Sequence, residues 1–144
     1  MPRTSGVIKE PLRVRWEQTG HQIVVRAAGD VDLATAPLLA LALSEATAAP
    51  GAREVVVDLT KVEFFGAIGL TTLLTATCRG EDTDVPVLVI THPGQPPHRT
   101  ITLCQLQNEL RVIDIPGHGP FNGNYEARAQ SAPTTHRHRR LEPH

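Results

Sequence analysis

The chain has 144 residues, 40% of them hydrophobic and 20% charged, with a formal net charge of -1. That is one soluble domain's worth of chain, enough to bury well over half of its unfolded surface. The balanced charge provides no basic stripe for nucleic acid, no apolar run approaches the ~18 to 20 residues that cross a bilayer, and MPRTSGVIKE has no apolar signal core. No nucleic acid, no membrane and a cytoplasmic location are therefore expected.

Residues 1–10 read as a flexible lead, residues 11–115 as a single domain and residues 116–144 as a disordered tail. In the tail the apolar periodicity stops and Gly117, Gly119, Pro120, Gly123, Pro133 and Pro143 accumulate, so little apolar surface is available to offset chain entropy. Within the domain, Leu12, Val14 and Trp16 alternate with Arg13, Arg15 and Glu17, which predicts a half-buried strand. Gln18-Thr19-Gly20-His21 turns the chain into a second strand, Gln22 to Ala28, antiparallel to the first. Gly29-Asp30-Val31-Asp32 then leaves the sheet. Asp32 or Thr35 caps a helix from about Ala36 to Ala48, whose inward stripe is Leu39, Leu43 and Ala46, widened by Leu38, Ala42 and Thr47.

Glu54 to Leu59 is apolar at nearly every position, as expected of a central strand covered on both faces. A turn centred on Gly66-Ala67-Ile68-Gly69 follows, then a helix to about Arg79 and a polar loop, Gly80 to Asp84. Pro86 to Thr91 is another buried strand. A loop punctuated by Pro93, Gly94, Pro96 and Pro97 leads to a short helix, Arg99 to Leu106, and Leu110 to Ile115 is the last strand. The order β-β-α-β-α-β-α-β predicts an α/β domain: a mixed, mostly parallel sheet of about five strands with an antiparallel edge strand, packed with α-helices.

Two segments carry a family resemblance. GDVDLATAPLL, Gly29 to Leu39, and VVVDLTKVEFFGAIGLTTLL, Val55 to Leu74, are similar to the two signature stretches of the STAS domain family, best known as bacterial anti-sigma factor antagonists. Asp58, Leu59, Val62, Phe64, Gly69 and Leu70 keep the family pattern; Gly66, Ala67 and Ile68 depart from it. The resemblance implies a non-enzymatic domain without cofactors. Its partner would be a kinase-like anti-sigma factor, met through Asp32, Phe65, Gly66, Ala67, Ile68, Gly69 and Leu70. In such antagonists the serine before the glycine is phosphorylated by that partner, and Ile68, which stands in its place, has no hydroxyl. A phosphate brings about -1.5 to -2 charges against a partner surface. A neutral turn should therefore behave as the unphosphorylated form does.

The sequence also admits other readings of the turn. In one, Gly66 and Gly69 serve only to permit a tight turn over an inward Ile68; in another, the turn borders a ligand crevice at the carboxyl ends of the strands. The alternative function is accordingly a ligand-sensing or scaffold module. Thr71 and Thr72 offer displaced phosphosites. Catalysis has no support, because no His accompanies a Ser or Cys in a recognisable motif, and Ala67 and Ile68 supply no nucleophile at the elbow. His92 and His98 are read as solvated, and His136, His138 and His144 as tail residues without fixed metal geometry. Cys78 and Cys104 are read as two small buried hydrophobes or, if the second and third helices pack side by side, as a candidate redox pair.

Overall fold

The computed structural model describes residues 12–115. Five strands form one sheet: β1 (Leu12–Thr19), β2 (Gln22–Val31), β3 (Glu54–Phe65), β4 (Val87–Thr91) and β5 (Arg111–Asp114), in the spatial order β1-β2-β3-β4-β5. β1 pairs antiparallel with β2, and every other pairing is parallel. Three helices connect the parallel strands: α1 (Ala36–Thr47), α2 (Ala67–Thr83) and α3 (Pro96–Leu103). The expected α/β architecture is present. The lead and tail expectations lie outside the described residues.

The main core lies between the sheet and helices α1 and α2. Alternate residues of the strands, including Ile23, Val25, Val55, Val57 and Val89, meet Leu39, Leu43, Leu70 and Leu73 of the helices. The opposite parity supplies a smaller cluster on the other face, Val24, Val56, Leu88, Ile90 and Ile113. Burial on both faces is why β3 and β4 read as continuous apolar runs.

Four boundaries differ from expectation, each for a physical reason. β2 stays in the sheet through Val31 and β3 through Phe65, because register shifts near Arg26/Ala28 and Gly29/Asp30 re-aim the strands while they remain paired. α2 begins at Ala67 and absorbs the expected loop at 80–83. Gly80 makes this possible: its amide carbonyl accepts from Val85 N–H at 2.7 Å, and a Cβ there would lie 2.2 Å from the Val85 carbonyl oxygen. α3 starts three residues early because Pro96 and Pro97 occupy its first turn, where proline is tolerated rather than a breaker. Leu38 is turned outward and 46% exposed, so α1's buried stripe is narrower than its spacing suggested.

Candidate functional site

The site is built where β2 and β3 run past the end of β4. Val31 and Phe65 are the last paired residues of the two strands, and Gly66 N–H donates to the Val31 carbonyl at 3.0 Å. The loop that follows Val31 and the turn that follows Phe65 are thereby held side by side. Thr100 Oγ1 donates to the Phe65 carbonyl at 2.9 Å, which ties α3 to the same corner.

Asp32 organises its loop. Its carboxylate oxygen Oδ1 accepts from the N–H groups of Ala34 and Thr35, both at 3.0 Å, and its own N–H donates to Thr35 Oγ1 at 2.9 Å. Thr35 is the residue at the helix cap but makes no side-chain cap bond. Neither candidate therefore caps α1 through the usual bond to its first turn. Asp32 stabilises the turn one step upstream and leaves α1 to start from the backbone bond of Ala36 N–H to the Asp32 carbonyl, 2.8 Å.

The β3–α2 turn has a supporting layer and an exposed layer. Phe65, Gly69 and Leu70 are buried and carry the turn from beneath. Neither Gly66 nor Gly69 has a positive φ, so conformational freedom is not what the turn requires of them. Gly69 is needed for space: a Cβ would sit 2.6 Å from two ring carbons of Phe65. Ile68 is half-buried and packed against the main core, while Ala67 is exposed. Gly66 lies under the Phe64 ring, with a Cβ position only 3.3 Å from it.

Two residues of this surface escaped the sequence reading as site members. Leu33, in the Asp32 loop, is 77% exposed, and Phe64 is 52% exposed beside the turn. A signal existed for one of them: consecutive Phe64-Phe65 at a strand end must point to opposite sides, so one ring has to face outward. The surface that results is neutral and apolar at its apex, with the Asp32 carboxylate committed to its own loop.

Other chemistry-bearing residues have structural partners. Asp58, almost fully buried, receives Arg26 Nη1 at 3.0 Å and both the N–H and hydroxyl of Thr60, at 2.9 and 2.7 Å. His92 is buried, contrary to the solvated reading, because its Nδ1 lies 2.6 Å from the Ile115 carbonyl and joins the end of β4 to the chain beyond β5. His98 Nδ1 accepts from Gly94 N–H at 3.2 Å, which leaves the proton on Nε2, 3.4 Å from Asp114. Thr72 is buried with its hydroxyl on the Ile68 carbonyl at 2.9 Å, whereas Thr71 is exposed. Cys78 and Cys104 are both exposed, not buried, on the neighbouring helices α2 and α3 or at their ends. No helix among the described residues is long and apolar enough to cross a membrane.

Comparison with known proteins bears on the family and the fold. A family profile described as "Mlab, STAS domain" matches residues 14–114. An anti-sigma factor antagonist from Mycobacterium paratuberculosis is 29% identical, with a TM-score of 0.63 over 73% of this chain and 89% of that one. The anti-sigma factor antagonist SpoIIAA in its unphosphorylated form shares the fold at 14% identity, with a TM-score of 0.60 over 83% of this chain and 99% of its own. A Thermotoga maritima protein shares it at 10% identity and a TM-score of 0.63, covering 81% of this chain and 92% of that one. Among curated proteins, none matches the sequence significantly.

Proposed function

The chain belongs to the STAS domain family, and from that premise we propose that it is a non-enzymatic, cytoplasmic regulator that binds a kinase-type anti-sigma factor and thereby frees a sigma factor. The docking surface consists of the Asp32 loop and the Gly66-Ala67-Ile68 turn, flanked by Leu33 and Phe64 and supported from below by Phe65, Gly69 and Leu70. The observation that carries the reading is the bond from Gly66 N–H to the Val31 carbonyl, which joins the two segments into one apolar surface. The Mycobacterium paratuberculosis antagonist, 29% identical, supports the choice of partner.

Docking of this kind is free of phospho-control at the usual position. Ile68 has no side-chain hydroxyl to take a phosphate, so this position stays neutral whatever the partner's nucleotide state. Thr71 is where a displaced switch would have to sit, since the Thr72 hydroxyl is buried and engaged. The test is capture of purified kinase-type anti-sigma factors by the chain and by its Ile68→Asp and Phe64→Ser variants, with folding checked by circular dichroism. Wild-type capture with loss in both folded variants is expected. Capture that survives both substitutions would place the partner on another surface.

A further inference from the structure

β1 is an edge strand whose outer side pairs with nothing among the described residues. Its inner side pairs with β2 without a break from Leu12↔Gly29 to Thr19↔Gln22. An edge of this length is a template for another strand unless charged side chains, a proline, a bulge or a cover blunts it. LRVRWEQT contains no proline, and the unbroken register shows no bulge. The chain's single tryptophan, Trp16, sits in the middle of it, 37% exposed.

The charges of β1 discriminate among possible neighbours. When two copies of one strand pair antiparallel about a two-fold axis normal to the sheet, facing residues share a side, so one residue faces its own copy across the axis and marks the axis position. An axis through Val14 sets Arg13 against Arg15 twice, one through Arg15 sets Arg15 against itself, and one through Glu17 sets Glu17 against itself. An axis through Trp16 sets Arg15 against Glu17 twice, with Arg13 opposite Thr19, Val14 opposite Gln18 and Trp16 opposite Trp16. Among these four it alone opposes unlike charges with no like pair, and facing charges of opposite sign stabilise antiparallel pairs.

The helix-side face of the edge is also prepared for contact. The Trp16 indole Nε1 donates to Glu45 of α1 at 3.3 Å, which holds the ring beside that helix. Leu38, 46% exposed, borders with Leu12 and Val14 the apolar part of a groove that Arg13, Arg15 and Lys61 also line, and Leu41 on the same helix is 57% exposed. Trp16 is of the residue type that anchors interface centres, and Leu38 and Leu41 add exposed apolar surface on the helix packed against β1.

We propose that the chain forms a two-fold dimer through β1, with Trp16 on the axis and Arg15 of each copy facing Glu17 of the other, so that two sheets join into one. The axis reverses strand direction between copies, so the two β3–α2 turns lie at opposite ends and each stays open. This inference does not depend on the anti-sigma reading.

Sedimentation equilibrium of the full chain, over a wide concentration range, tests it. The wild type should approach twice the monomer mass. Arg15→Glu and Glu17→Arg should each shift the dissociation constant upward by tenfold or more, and the double variant Arg15→Glu/Glu17→Arg should restore it. Circular dichroism verifies that each variant is folded, and the double variant guards against a merely structural role of Glu17, which lies 3.9 Å from Arg26. A wild type that is monomeric at all concentrations overturns the proposal. So does a dimer indifferent to all three variants, or a double variant no tighter than either single one.

Discussion

Gly69→Ala probes the corner that supports the candidate surface. By helix propensity alone the change should help, by up to about 1 kcal/mol, since glycine is a poor helix residue and Gly69 lies in the first turn of α2. The new methyl, however, would stand 2.6 Å from two carbons of the Phe65 ring and 3.0 Å from a third. Carbon atoms settle near 3.5–4.0 Å, so the ring must retreat by about 1 Å. Phe65 is only 3% exposed and belongs to the main core, so its ring cannot retreat into solvent. Overpacking of this kind costs about 1–3 kcal/mol, and the depth of the overlap puts it at the upper end. The net expectation is a loss of about 1–2 kcal/mol, read as a lower urea midpoint at unchanged slope. Phe65→Leu removes the ring atoms in question, so Gly69→Ala should cost clearly less in that background, a non-additivity expected of residues in contact. A Gly69→Ala variant as stable as the wild type, or more stable, would refute the steric account.

Three further outcomes follow from the same geometry. Asp32→Ala strips Ala34 and Thr35 N–H groups of their acceptor and should cost about 1 kcal/mol in urea unfolding, while weakening partner capture more than Asp32→Asn does; equal effects of the two would deny Asp32 its role in shaping the loop. Asp58→Ala removes the buried acceptor of Arg26 and Thr60 and should cost about 1–3 kcal/mol, with an unchanged midpoint as the contrary result. Both thiols, being exposed, should react with a thiol reagent in the native state, and mild oxidation should join Cys78 to Cys104 within one chain; non-reducing mass spectrometry that finds the thiols still free would end the redox-pair proposal.

Much of the fold was legible because its signals are local and periodic. The uninterrupted apolar runs of β3 and β4 report burial on both faces, and Leu39, Leu43 and Ala46 report the inner stripe of α1. What was not legible depends on tertiary contact. The extension of β2 and β3 to Val31 and Phe65 rests on register shifts that no residue pattern announces. Gly80 looked like a loop residue, yet its missing Cβ lets the Val85 carbonyl approach and the helix continue past it. Gly69 invited a conformational explanation, whereas the constraint is the ring of Phe65 across the turn. That Ile68 carries no side-chain hydroxyl, by contrast, is a matter of residue type at one position and needs only the sequence.

Calorimetric titration with a kinase-type anti-sigma factor, with and without ATP, distinguishes a neutral docking turn from a nucleotide-controlled one. Wild-type affinity should be the same in both conditions, Ile68→Asp should lose binding in both, and Ile68→Ser should bind without ATP and weaken with it. Absence of wild-type binding, or wild-type binding that ATP abolishes and Thr71→Val rescues, would contradict the account.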